Sequence, residues 1–183
     1  MALTEFGTQV PSLAMVSTVD AERTALVERV SGLATAYVSA GEPPGLPDFI
    51  RRYYGAVAVD DLTARRMEDL AGAARAHWRL AADRAPGTAV VRVGNPNTQT
   101  DGWQSPHTVV EIITDDMPFL VDSVTMELDR HGLGLQLAVH PIVRVRRDDT
   151  GRLLGLADEH ESGPGVCVES YLHVEVERCT DAE

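Results

Sequence analysis

The sequence predicts an α+β fold, with helices in its first half followed by a mostly antiparallel sheet that carries helix on its surface. Three observations predict it. Apolar residues recur at helical spacing through the first 87 positions. From Thr88 the period shortens to that of a strand. Between residues 103 and 151, strand, acidic turn, helix, strand and hairpin then follow one another without interruption.

Taken in order, residues 1–17 show no clear period and read as a flexible tail. Over residues 20–40, Leu26, Val30, Leu33 and Tyr37 recur at helical spacing, and Gly41 is the expected stop. The prolines within residues 41–47 cannot continue a helix, so that stretch reads as a rigid linker. Residues 48–54 suit a short helix. A longer one is expected to start at Asp60 or Asp61, whose carboxylate would cap free backbone amides, and to end at Pro86-Gly87. Its apolar side carries Leu62, Met67, Leu70, Ala74, Trp78 and Ala81. Residues 18–87 are thus a helical segment, and residues 88–183 an α+β module.

Within that module, residues 88–93 read as a strand and residues 94–106 as a polar loop anchored by Trp103. Residues 107–114 place Val109, Val110, Ile112 and Ile113 on both sides, so this strand should be central and covered. The turn Asp115-Asp116-Met117-Pro118 leads into a helix with Leu120, Val121, Val124 and Leu128 on one side, Pro118 in its first turn and Gly132 at its end. Leu135, Leu137, Val139, Val143 and Val145 share one face of a strand, with an edge or bulge at Pro141. Residues 148–151 form a hairpin turn. Finally, Leu172, Val174 and Val176 alternate against Tyr171, His173, Glu175 and Glu177, which reads as a strand with one wet face. The order is ferredoxin-like and calls for a second helix and another strand after residue 183, with strand 88–93 covering part of the sheet. Thr180 and Glu183 fit a capping box with no helix behind it, which reads either as chance in an acidic tail or as the mark of a chain cut from a longer one.

Composition excludes several functions. Of 183 residues, 44% are hydrophobic, enough for a sizeable core. The net charge of −12 repels polyanions, so nucleic acid and anionic membrane are not expected partners. All 16 basic residues are arginine. Without lysine the chain has no Schiff-base amine and no P-loop cation. The first ten residues lack a secretory pattern, and no apolar run is long enough to cross a bilayer. Cys167 and Cys179 flank an extended segment that would hold them roughly 40 Å apart. They are expected to be unbridged thiols, in keeping with a cytoplasmic setting.

Candidate chemistry is sparse. Ser105 and His107 are adjacent, but a triad needs partners that adjacency does not supply. Asp158, Glu159, His160 and Glu161 lack the spacing that converges metal ligands and read as a solvated loop. His140 and His173, on strands, read as hydrogen-bonded structural residues. Gly132-Leu133-Gly134 ends a helix where a dinucleotide loop would open one. Met117, Met126 and Phe119 read as core residues. No catalytic, metal or cofactor-binding residue is assigned. Asp115, Asp116, Met117 and Pro118 form the best candidate, an effector-binding turn at the start of a helix, where free amides can hold an anion. The alternative is that a carboxylate merely caps the helix.

The motifs FIRRYY at 49–54, AHWRLA at 76–81, RVGNP at 92–96, the long block at 101–135, VHPI at 139–142 and ESYLHVEVERCTD at 169–181 carry a resemblance. Over residues 49–181 the sequence resembles the N-terminal region of the large, NAD-specific bacterial glutamate dehydrogenases. The resemblance implies an ACT-like module, with the NAD site and a catalytic lysine beyond Glu183. It implies that the parent enzyme converts L-glutamate, NAD and water to 2-oxoglutarate, ammonia and NADH. ACT modules place amino-acid effectors near the first strand-to-helix turn, here Asp115 to Pro118, although the small glycine usual in that turn is missing. The implied partners are downstream domains of the same polypeptide, further copies in a homo-oligomer, and an amino-acid effector. A purely architectural role in oligomer assembly, or a stand-alone amino-acid-binding protein, is the alternative.

Overall fold

Helices α1 (Leu13–Thr35), α2 (Leu46–Tyr54), α3 (Val59–Thr63) and α4 (Met67–Leu80) precede the sheet in the computed structural model, which describes residues 13–36 and 41–180. α1 begins at Leu13, ahead of the expected Asp20; the expected Tyr37 and Gly41 boundary falls partly outside the described residues. The single long helix expected from Asp60 is two helices. After α3 the backbone tightens, with Ala64 N donating to Asp60 O and Arg65 N to Leu62 O, and Arg66 is extended. The break lets Arg65 leave the helix surface and donate to Glu175 at 2.7 Å. The expected carboxylate cap is not used; Ala58 opens α3 with no side-chain bond.

The strands are β1 (Val90–Gly94), β2 (Thr108–Asp115), β3 (Leu135–Val139), β4 (Ile142–Arg147), β5 (Leu153–Leu156) and β6 (Val166–Val176), with α5 (Leu120–Arg130) between β2 and β3. They form one antiparallel sheet in the order β1-β2-β6-β4-β5, with β3 also on β6. The flank beside β2, which the last ferredoxin-like strand would take, is held by β1. The α+β reading holds, and β2 is central as expected, but three expectations about the strands are corrected.

The apolar run through Val145 is two strands, both paired to β6 and separated at Pro141, which has no amide to donate. Leu135 does not share a face with Leu137. The register slips by one between them, so Leu135 stands opposite Val176 and is exposed. Third, the supposed wet face of β6 is buried: Tyr171, His173 and Glu175 are 0%, 2% and 4% exposed. β6 has partners on both edges, and α2 and α4 cover this side of it.

The main core lies under the helices. Val27, Val30, Phe49, Tyr53, Tyr54, Leu70 and Trp78 meet Ile113, Val139, Val143, Val145 and Tyr171 from the sheet. Phe49 stacks on Trp78 at 4.4 Å and tilts against Tyr171 at 5.0 Å. Each such ring contributes about 1.5–3 kcal/mol by leaving water. The helical segment and the sheet therefore share one core.

Among the described residues, the opposite face of the sheet is covered by α5 alone. Leu172, Val174 and Val176 pack against Leu120, Val121, Val124 and Leu128, yet α5 has no fully buried side chain. α5 ends where expected: Gly132 (φ 70°) takes the left-handed position, and Leu133 N donates to Leu128 O. Its start differs. Phe119, not an aspartate, sits at the cap position with φ 64°, and no side chain caps the helix. Pro118 lies before the first turn.

Candidate functional site

The sheet face under the helices carries a row of polar residues aligned by strand register. Arg92 on β1 stands opposite Glu111 on β2, and Glu111 stands opposite His173 on β6. α4 brings His77 over this row, beside Trp78 in the core. Glycine at position 72 lets α4 approach: a Cβ there would lie 2.3 Å from the Cβ of Trp103. Trp103, the expected loop anchor, is itself buried, with its ring 6.4 Å from that of His173.

His77, Glu111 and His173 are 0%, 2% and 2% exposed. One atom of each is fixed from outside. Tyr53 Oη lies 2.9 Å from His77 Nδ1, Arg92 donates to Glu111 Oε2, and Glu175 Oε1 is 3.7 Å from His173 Nε2. The remaining atoms, His77 Nε2, Glu111 Oε1 and His173 Nδ1, are buried with no protein partner. Among the described residues, these three side chains form a group whose ligand-type atoms all lie within 4.8 Å of one another.

The electrostatics follow from burial. Loss of water pushes the His77 imidazole well below its ordinary value, with His173 adding to the shift, so His77 is neutral. Burial pushes Glu111 up against the opposing pull of Arg92 and His173. Burial also pushes Glu175 up, but His173 and Arg65 outweigh it and hold this carboxyl at about 2. Two clefts flank Trp103. One, of about 570 Å³, is lined by Arg65, Asp69, Gln104, His107, Gln136 and His173 among others. The other, of about 510 Å³, reaches Arg92 and Glu111.

A second polar assembly lies at one end of the sheet. Glu169, fully buried, accepts from Arg84 and Arg147, each at 2.6 Å, and from the Tyr171 hydroxyl at 3.3 Å. Arg84 also donates to Asp115, the first residue of the candidate turn. Ser170 Oγ donates to Asp116 at 2.7 Å. Both carboxylates of that turn are thus engaged, while Asp115 stays half exposed. Met117, Phe119 and Met126, expected in the core, are 47%, 76% and 71% exposed, because they lie on the uncovered side around α5.

The remaining sequence candidates separate. The Ser105 hydroxyl accepts from the His107 backbone amide and donates toward Glu175, so serine and imidazole are not joined. Glu161 is tied to Arg146 within an exposed loop, as expected of a solvated segment. His140 Nε2 is buried without a protein partner, and so is His173 Nδ1, so the hydrogen bonding expected of these two residues is missing at one nitrogen of each. Cys167 and Cys179 are free. Glu183 of the expected capping box lies outside the described residues. Sequence reasoning missed the convergence of His77, Glu111 and His173. Its only signal was a glutamate inside an otherwise apolar central strand.

Comparison with known proteins places these residues in a family. The glutamate dehydrogenase ACT1 domain family matches residues 49–183. The chain is 37% identical over 139 residues, 76% of its length, to the NAD-specific glutamate dehydrogenase of Pseudomonas aeruginosa. It is 39% identical over 130 residues, 71% of its length, to that of Halomonas elongata. A Mycobacterium tuberculosis protein of the same name is 28% identical over 58% of the chain. The matched region is less than a tenth of each of these relatives: 9%, 8% and 6%. No solved structure matches the chain significantly. His77, Glu111 and His173, with the turn at Asp115, all lie inside the matched region, and the chain belongs to the glutamate dehydrogenase ACT1 domain family.

Proposed function

We propose that this chain is a regulatory and architectural module of an NAD-specific glutamate dehydrogenase, and that it docks the thinly covered face of its sheet against another part of the same polypeptide. In this reading, hydride transfer from L-glutamate to NAD belongs to another domain, and the module acts by assembly, in a cytoplasmic enzyme. The observation that carries it is the apolar row on the α5 side. Val91 and Val93 on β1 stand opposite Ile112 and Val110, on the same face as Leu172 and Val174, and are 58% and 62% exposed. Phe119, Met126 and Ile142 continue the exposed apolar surface around α5. A contiguous patch of this kind marks an interaction surface. The relatives' name, NAD-specific glutamate dehydrogenase, and the small share of their length that the chain covers support the choice of partner.

The test is sedimentation of the purified chain, alone and with the remaining polypeptide of the parent enzyme expressed separately. Complex formation that Val91→Thr/Val93→Thr weakens is the expected result. A monomer that ignores the remainder of the enzyme overturns the reading. The chain alone should reduce no NAD with glutamate.

A second reading keeps an amino-acid effector at Asp115, Asp116, Met117 and Pro118. It is favoured by the uncapped start of α5 and the half-exposed Asp115 held by Arg84. Calorimetry with a panel of amino acids tests it. Heat for one member, lost in Asp115→Asn, is expected, and silence across the panel removes this reading.

A further inference from the structure

We propose that His77, Glu111 and His173 bind a divalent transition-metal ion of the zinc class, which ties α4 to β2 and β6. The ligand atoms are those buried without partners: His77 Nε2, Glu111 Oε1 and His173 Nδ1. Orphaned polar atoms are costly in a protein interior, and here three residues that each carry one also place a ligand-type atom within 4.8 Å of the others. Two imidazoles and a carboxylate are a recurrent set for zinc and for iron(II). Calcium and magnesium prefer all-oxygen sites, so they are poor fits. Ligand atoms around a zinc ion stand roughly 3.3 Å apart for bonds of 2.0–2.1 Å. The three side chains would draw slightly inward on binding.

The surroundings match the chemistry. Histidines that hold metals have their other nitrogen fixed by an oxygen behind it. Tyr53 does this for His77, and Glu175 stands behind His173. Arg92 holds Glu111 by Oε2 and leaves Oε1 without a partner. Trp103 lies between the two clefts that border the group, offering a route for the ion. An internal water could satisfy the same three atoms. The outer partners favour the metal: Tyr53 and Glu175 stand at the far nitrogens of the two imidazoles, as oxygens do behind zinc ligands, and the three residues come from three different elements of the fold.

The test uses the 183-residue chain purified without a histidine tag. Elemental analysis should find close to one zinc or iron per chain. After chelation, one equivalent of zinc should raise Tm by about 5–10 °C. One equivalent of cobalt(II) should give visible absorption from nitrogen and oxygen ligands. Glu111→Gln should abolish both effects. Tyr53→Phe, which keeps every ligand, should weaken binding about 10–100-fold, so a folding failure of Glu111→Gln leaves the proposal testable. Absence of metal together with no Tm response to zinc, cobalt, iron(II) or manganese overturns it and assigns the site to water. Binding that Glu111→Gln and Tyr53→Phe both leave unchanged also overturns it.

Discussion

The two faces of the sheet are built from alternate residues of the same strands, yet they are finished differently. The side toward α1, α2 and α4 buries arginine, glutamate and histidine among aromatic rings. The side toward α5 centres on valine, leucine and isoleucine, with Thr108, Thr114, Ser170 and Arg144 around them, and it leaves several of the apolar residues in water. Polarity therefore fails as a guide to which face is inside. A buried polar face must have nearly every donor and acceptor placed, which fixes one arrangement of helices on strands. An apolar face has no such demand and can accept a partner of complementary shape.

The largest test of this contrast is Glu169→Ala. It leaves Arg84 and Arg147 as buried cations without their shared carboxylate, and breaking such a group costs about 3–5 kcal/mol. Denaturant unfolding should show that loss, whereas an equal loss from an exposed apolar residue of the α5 face, such as Val93, would break the comparison. Next comes Gly72→Ala, whose Cβ collides with Trp103. An overpacked contact costs about 1–3 kcal/mol, and the Trp103 fluorescence should shift with it.

A pH experiment sharpens the contrast further. His77 is held neutral when folded but gains a proton near its ordinary value when unfolded. Its contribution is present above the ordinary histidine value and is lost as pH falls below it. Chelator-treated protein should therefore lose stability from pH 7 to pH 5, at no more than about 1.4 kcal/mol per pH unit for each proton. His140, also lowered by burial, adds to this slope, and Glu111, raised by burial, opposes it at the acid end. His77→Gln should flatten the slope; an unchanged profile would place the titration elsewhere. The smallest effect belongs to the other face. Val93→Thr and Met126→Gln should each alter stability by less than about 0.5 kcal/mol, while reducing association in sedimentation.

How much of this was legible in the sequence depends on distance along the chain. Helix and strand periods located α2, β2, α5 and the hairpin turn, because spacing is a local property. Trp103 was legible as an anchor because it is a lone large ring in a polar loop. The alternation in β6 was read correctly as a strand but assigned to the wrong environment. Periodicity reports that Tyr171, His173 and Glu175 differ from their neighbours, not that helices will cover them. The split between α3 and α4 was hidden for a similar reason: the break frees Arg65 to pair with Glu175, a partner far away in sequence. Leu135 was misplaced because a one-residue slip carries no mark in the residues themselves. The histidine–glutamate group was illegible, since its members come from three elements that only the fold brings together. The turn at Asp115 was found, but Arg84, which holds it, was not.

The placement of β6 has a consequence for how the protein is made. The aromatic side of α2 and α4 closes on Tyr171 of β6 and on residues of β2, β3 and β4, which all pair with this same late strand. During synthesis the helices emerge from the ribosome with Phe49 and Trp78 still lacking their lid. The nascent chain must deliver β6 before cooperative closure can begin, so the helical half should be a client for chaperones that shield exposed rings.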